Sequence, residues 1–260
     1  MSGTPKAPQS IPLALFLDID GTLVNKRQGP FAEDIAAIEL ARQQGHKVFL
    51  NTGRSMANIP PEMQNAAWVD GIIAGGGAQV ALGGKTIYHT WVPEGVLCAA
   101  CGLYLTGDKW IVFEGETDLY NIHLDREYAG MLTISREDDF RTKYAGAIIS
   151  KITMGGYVTA EEEAVLGGAF DLFPQRGYSE GIIKGESKAK GMKMILEAVG
   201  IKRENSIAVG DSANDAEMIR YAGLGIAMGN GTDELKKIAG AITGDVGHGG
   251  VAQAITHWML

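Results

Sequence analysis

Short unbroken apolar runs, each closed by glycine, proline or acid, set the pattern of this chain, and stretches of helical period lie between them. Leu13-Ala14-Leu15-Phe16-Leu17 is bounded by Pro12 and Gly21, is too short for a good helix, and predicts a buried strand. Val48-Phe49-Leu50, Ile72-Ile73-Ala74 and Ile207-Ala208-Val209 predict three more. Met192, Ile195, Leu196 and Val199 keep the i, i+3, i+4, i+7 spacing of a core-facing helix, which Gly200 stops. Ile35, Ile38 and Ala41 give a second such face, with Glu33, Asp34 and Glu39 expected on its solvated side. Val251, Ala254, Ile255 and Trp258 give a third. Buried strands alternating with amphipathic helices predict an α/β fold, and in open sheets of that kind ligands bind outside the carboxyl ends of the strands.

The middle of the chain is patterned differently. Gln79–Leu82 and Thr86–His89 flank Gly83-Gly84 as a hairpin, Pro93-Glu94 opens a helix, and Trp110–Phe113 and Ile148–Met154 are strand-like. Thr159 then opens a helix with Glu161, Glu162 and Glu163 in its first turn, as a capped N-terminus favours. Residues 83–185 thus read as an inserted domain, and residues 1–82 with 186–260 as a discontinuous core.

The ends of the core strands carry the chemistry. The first closes on Asp18-Ile19-Asp20-Gly21, and two carboxylates at the end of a buried strand repel each other and lose hydration unless a cation sits between them. A divalent metal is the economical explanation, with one carboxylate left to attack or to pass protons. The second strand ends in Asn51-Thr52-Gly53-Arg54, where a hydroxyl and an accessible backbone suit an oxyanion. The strand at 207–209 ends in Gly210-Asp211-Ser212-Ala213-Asn214-Asp215, with two more carboxylates at a loop-to-helix junction. Lys188 opens the helix of Met192, where an ammonium works against the helix dipole unless it reaches an anion.

In order and content these motifs resemble the haloacid dehalogenase superfamily, specifically its Cof-type branch of capped sugar-phosphate phosphatases. The resemblance covers nearly all of the chain after about residue 12, because Ala227-Met228-Gly229-Asn230-Gly231 and Gly249-Gly250-Val251-Ala252 also look like that branch. It implies a Rossmann-like parallel-sheet core with an inserted α/β cap. It implies Asp18 as nucleophile, Asp20 as general acid/base, and Thr52 and Lys188 as phosphate contacts, with Gly53, Arg54 and Asn214 beside them. Magnesium would be held by Asp18, Asp20 through its backbone carbonyl, and Asp211, with Asp215 in the same motif. Two departures stand out. The branch usually has Asn-Gly-Ala where this chain has Gly76-Gly77-Ala78, and Ala189-Lys190-Gly191 replaces the usual glycine after the lysine, so Lys190 remains an alternative to Lys188. For further substrate contacts, Arg54 and, from the insertion, Glu180 and Lys184 are the nearest candidates by proximity to the motifs.

Chemistry and composition narrow the function. A dianionic phosphate ester repels a carboxylate nucleophile, so a magnesium-dependent phosphohydrolase working through an aspartyl-phosphate needs this donor set. Halide displacement needs neither the metal nor the second acid. A phosphotransferase of sugar phosphates is the nearer alternative, and a non-catalytic phospho-ligand sensor the further one. Net charge is −8 with pI about 5.2, which disfavours nucleic acid and anionic membranes as partners. The expected partner is a small-molecule phosphate monoester, with no obligate protein partner. No apolar stretch nears the ~20 residues of a membrane span. Met1–Ser10 shows no secretory pattern and reads as a loose tail, so cytoplasm is the expected location. Cys98 and Cys101 are the only cysteines and too few for a zinc site, so they read as packed reduced thiols. The five histidines form no ligand spacing.

Overall fold

The computed structural model describes residues 11–25, 28–124 and 130–260, so the N-terminal tail read from the sequence lies outside the described residues. In chain order the elements begin with β1 (Ala14–Leu17), α1 (Ala32–Gln43), β2 (Lys47–Asn51), α2 (Pro61–Gln64), β3 (Gly71–Ala74), β4 (Gln79–Leu82) and β5 (Lys85–His89). There follow α3 (Glu94–Thr106), β6 (Ile111–Gly115), β7 (Leu119–Ile122), β8 (Leu132–Thr133), β9 (Ile149–Gly155), α4 (Ala160–Leu166), β10 (Phe170–Pro174) and β11 (Tyr178–Ile183). The chain closes with α5 (Lys188–Val199), β12 (Ser206–Gly210), α6 (Ala216–Tyr221), β13 (Leu224–Ala227), α7 (Asp233–Ile238), β14 (Ala241–Ile242) and α8 (Gly250–Trp258).

An eight-stranded sheet has the order β14-β13-β12-β1-β2-β3-β4-β5, and a six-stranded sheet the order β10-β11-β9-β6-β7-β8. The hairpin expected around Gly83-Gly84 is present as β4 and β5, with both glycines at positive φ (56° and 75°) in the turn. It belongs to the eight-stranded sheet. Among the described residues the chain gathers into two compact units. One is drawn from Met1–Asn51, Ala67–Gly71 and Met192–Leu260, the other from Thr52–Ala66 and Ile72–Gly191.

In the first unit β1 lies between β2 and β12, parallel to both, with Leu17 opposite Leu50 on one side and Val209 on the other. That register brings Asp18, Asn51 and Gly210 to the same carboxyl edge. Leu15, Phe16 and Leu17 are fully buried, and the Phe16 ring stacks on Phe49 with centroids 5.0 Å apart. Because all four β1 side chains are inside, the strand shows no alternation, as expected for a parallel strand covered on both faces.

The helix pattern needs one correction. Asp34, expected on the solvated side of α1, is fully buried, and its Oδ1 accepts a hydrogen bond from the Ala252 N–H at 2.8 Å, while Ile35 is only half-buried. The first turn of α8 leaves its N–H groups without intrahelical partners, and α1 supplies the acceptor. His46 is likewise structural. Its Nδ1 accepts from the Leu13 N–H at 3.1 Å, which leaves Nε2–H to donate to the Met259 carbonyl at 3.1 Å.

In the second unit α3 and α4 cover one face of the six-stranded sheet. Leu97, Cys98, Cys101, Tyr104, Ile111, Phe113, Ile152, Met154, Leu166 and Phe170 form its apolar core. Thr159 and Glu162 make the expected capping box at the start of α4. Both cysteines are free, and burial pushes the Cys98 thiol up and Cys101 up to about 12, so they pack as unreactive thiols. Among the described residues no helix is long and apolar enough to cross a membrane.

Candidate active site

Asp18 follows the last residue of β1. Its N–H donates to the Val209 carbonyl at 3.0 Å, continuing the sheet, and the residue is 4% exposed. Asp18, Asp211 and Asp215 can each offer one carboxylate oxygen such that all three atoms lie within 4.8 Å of one another. Three carboxylates this close repel strongly in a partly buried setting. An all-oxygen donor set of this charge fits a hard divalent cation. The Asp20 side chain stands outside the trio and is exposed.

Local geometry explains the spacing of these acids. Gly21 has φ +80°, and a Cβ built there would run into the Asp211 carboxylate, so the Asp-Gly step is fixed both by conformation and by the approach of the second acidic loop. Asn230 Nδ2 donates to the Gly21 carbonyl at 2.8 Å while its Oδ1 accepts from the Val246 N–H at 2.8 Å. Asp215 Oδ2 accepts from the N–H groups of Asp211 and Ser212, both at 2.9 Å, and forms a capping box with Ser212. Asp215 thus holds the loop that presents Asp211. Asn214 is exposed, and its Oδ1 accepts from Ser212 Oγ at 2.8 Å.

Thr52, Gly53, Arg54 and Lys188 belong to the second unit. Thr52 is 1% exposed, its N–H donates to the Ile73 carbonyl at 2.8 Å, and its Oγ1 accepts from the Arg54 N–H at 3.1 Å. Gly76 N–H donates to the Thr52 carbonyl at 3.0 Å. At Gly77, with φ +111°, a Cβ would run into the Ser187 backbone, so the glycine run lets the chain pass close to the start of α5. Lys188 is the first residue of α5 and 3% exposed, whereas the Lys190 ammonium donates to Glu186 at 2.8 Å and to Tyr88 Oη at 3.1 Å. The Glu186 carboxylate and Tyr88 hold the Lys190 pKa above its ordinary value. The Lys184 ammonium donates to the Gly167 carbonyl, and Glu180 pairs with Lys151 at 2.6 Å.

Asn230, Ser212 and Gly21, which the sequence reading quoted within its motifs without giving them a role, shape the acidic loops without bearing their charge. Asn230 sits in the Gly-Asn-Gly segment, whose polar residue between two turn formers was the available signal.

Comparison with known proteins bears on this geometry. A family described as haloacid dehalogenase-like hydrolase matches residues 15–163 and 170–255. A Bacillus subtilis protein named as a candidate phosphatase, YkrA, is 30% identical over 249 residues, 93% of this chain and 95% of that one. The 5-amino-6-(5-phospho-D-ribitylamino)uracil phosphatase YcsE of Bacillus subtilis is 28% identical over 261 residues, 95% of each chain. A solved structure of the subclass IIB sugar phosphatase BT4131 superposes with a TM-score of 0.79 at 28% identity, covering 95% of this chain and 98% of that one.

Proposed function

The chain belongs to the haloacid dehalogenase-like hydrolases, in their Cof-type phosphatase branch, and from that premise we propose that it is a magnesium-dependent phosphohydrolase of small cytoplasmic metabolites, sugar phosphates foremost. The observation that carries the reading is the convergence of Asp18, Asp211 and Asp215 to within 4.8 Å, with Asp18 and Asp211 following adjacent parallel strands. The sugar and ribityl substrates in the names of related phosphatases support the substrate class.

Magnesium held by Asp18, the Asp20 carbonyl, Asp211 and Asp215 would offset the negative charge of the phosphate ester. Asp18 attacks phosphorus, forming a carboxylate–phosphorus bond as the ester oxygen departs. Asp20 gives its proton to the departing alkoxide, then takes one from the water that cleaves the aspartyl-phosphate, which returns both acids to their starting states. The Thr52 hydroxyl, Gly53 and its neighbouring N–H groups, Arg54, Asn214 and the Lys188 ammonium bind phosphoryl oxygens, where charge accumulates in the transition state. Lys188 takes this part as the buried first residue of α5. Residues 83–185, inserted in a core of 1–82 and 186–260, serve as the cap that excludes water and chooses the leaving group.

The purified protein should release inorganic phosphate from p-nitrophenyl phosphate without any sugar acceptor. Chelation should abolish that activity, magnesium should restore it, and Asp18→Asn should lower it by at least ~10³-fold. Turnover that resists exhaustive chelation, or an Asp18→Asn variant keeping more than about a tenth of the rate, contradicts the reading. Phosphoryl transfer seen only with an added sugar would make the enzyme a phosphotransferase.

A further inference from the structure

One face of the six-stranded sheet is built of buried charge. β6 and β9 turn Ile111, Phe113, Ile152 and Met154 into the apolar core, so by strand alternation Val112, Glu114, Lys151 and Thr153 share the opposite face, joined there by Glu180 across from Thr153. Glu114 is 3% exposed and Lys151 5%. The Lys151 ammonium lies 2.6 Å from Glu180 and 3.4 Å from Glu114. Thr153 Oγ1 donates to Glu114 Oε1 at 2.6 Å, and Asn58 Nδ2 donates to its Oε2 at 3.3 Å. Burial pushes the Glu114 carboxyl up, but the Lys151 ammonium and these donors outweigh it and hold Glu114 below its ordinary value, a carboxylate at neutral pH. A buried ion pair of this kind is a weak source of stability compared with apolar side chains of the same volume, so its presence calls for another reason.

The surroundings supply one. Arg54 Nη1 donates to the Asn58 carbonyl at 3.2 Å, so a hydrogen-bonded path within this unit runs from the Thr52-Gly53-Arg54 loop through Asn58 to Glu114. Beside that path opens a cavity of about 900 Å³ whose wall includes Asn58, Trp110, Glu114, Asp118, Arg176 and Tyr178. Gly155 makes room for the Trp110 indole, since a Cβ there would lie 2.7 Å from the ring nitrogen. The aromatic walls suit the C–H face of a polyol, and a carboxylate with lone-pair capacity to spare accepts from hydroxyl or ammonium. A second anion would meet Glu114 and Asp118 at close range. Arg176 does little to offset them because it is exposed, and Lys151 is a single ammonium shared by two carboxylates, Glu114 and Glu180, so it cannot cancel both.

We propose that this cavity receives the leaving group, an inference that rests on the phosphatase reading above, and that Glu114 and Asp118 select uncharged or amino-bearing polyols and reject those carrying a second anionic group. Like charge placed against a ligand is a strong discriminator even where attractive contacts are few.

The test compares substrates differing in one group. D-Glucitol 6-phosphate and 6-phosphogluconate share a six-carbon chain and differ in an alcohol or carboxylate at the far end, and glucose 6-phosphate and glucosamine 6-phosphate differ in one ammonium. The wild-type enzyme should show kcat/KM at least about tenfold higher for glucitol 6-phosphate than for 6-phosphogluconate, and should accept glucosamine 6-phosphate at least as well as glucose 6-phosphate. Glu114→Gln, and Asp118→Asn on the less buried part of the wall, should each bring the alcohol-to-carboxylate ratio down by severalfold, with circular dichroism reporting that each variant is folded. Should Glu114→Gln fail to fold, the Asp118→Asn ratio decides alone. A wild-type ratio near one, or a ratio that neither folded variant moves, overturns the inference while Asp18-dependent turnover of p-nitrophenyl phosphate leaves the phosphatase reading standing. Absence of that turnover overturns both.

Discussion

Asp18 and Asp20 are two residues apart and of the same chemical type, yet their surroundings differ: the first is buried among carboxylates, the second exposed on the loop. Their contributions should therefore separate by leaving group. Asp20→Asn should slow an alkyl phosphate far more than p-nitrophenyl phosphate, whose leaving group needs little acid help, and equal losses on both would count against the acid role. A similar contrast holds for the two lysines. Lys188→Ala should lower kcat as well as kcat/KM, because an ammonium on the transferring phosphoryl group acts in the transition state, while Lys190→Ala, releasing only Glu186 and Tyr88, should be nearly silent. Steady-state kinetics of both variants checks this, and the reverse pattern would move the role to Lys190.

At the scale of elements, what was legible depended on whether the signal was local. Strands β1, β2 and β12 were readable because each is an apolar run closed by a turn former, and the acids after β1 and β12 stand where the strand signal stops. Asp34 was not, because its periodicity groups it with Glu33, and only the packing of α8 against α1 shows the acceptor it provides. Glu114 was not, because its partners Asn58 and Lys151 are remote in sequence and meet it only through tertiary packing and strand register. Asp34 also makes a pH prediction. Burial raises its pKa above the ordinary carboxylate value, against the opposing Ala252 N–H. The native state then binds a proton more tightly than the unfolded chain, so this residue's contribution to stability falls as pH rises from the unfolded to the raised native value. Asp34→Asn keeps the acceptor for Ala252 without the charge. Its melting temperature should match or exceed that of the wild type at neutral pH, and that advantage should shrink as the pH is lowered, because only the wild type regains stability when Asp34 takes up its proton. A parallel loss of stability at every pH would show that the charge itself supports α8.

For the whole molecule, the motifs pointed to the acids that come together at Asp18, Asp211 and Asp215 but not to the buried charges of the six-stranded sheet. The order of the motifs pointed to the family that the family match over residues 15–163 and 170–255 shows. The polar face of the six-stranded sheet, proposed above to choose the leaving group, is announced by no local pattern. The proposed cap of residues 83–185 leaves room for metabolite-sized groups, and net charge −8 offers no steering for polyanions. Several hexose and pentose phosphates should therefore be hydrolysed with modest differences in kcat/KM, and a folded phosphoprotein left untouched, which a phosphate-release panel would check. Dephosphorylation of the protein without any small phosphate would contradict the account of the insertion.

The central claim is that the phosphoryl group passes through Asp18, and trapping it there is the most direct measurement. Enzyme quenched in acid during turnover of p-nitrophenyl phosphate, reduced with borohydride and mapped by peptide mass spectrometry, should carry homoserine in place of aspartate at position 18. The conversion should appear only when magnesium and substrate are both present. Modification at another carboxylate, or an unmodified Asp18 peptide under rapid steady turnover, would contradict it.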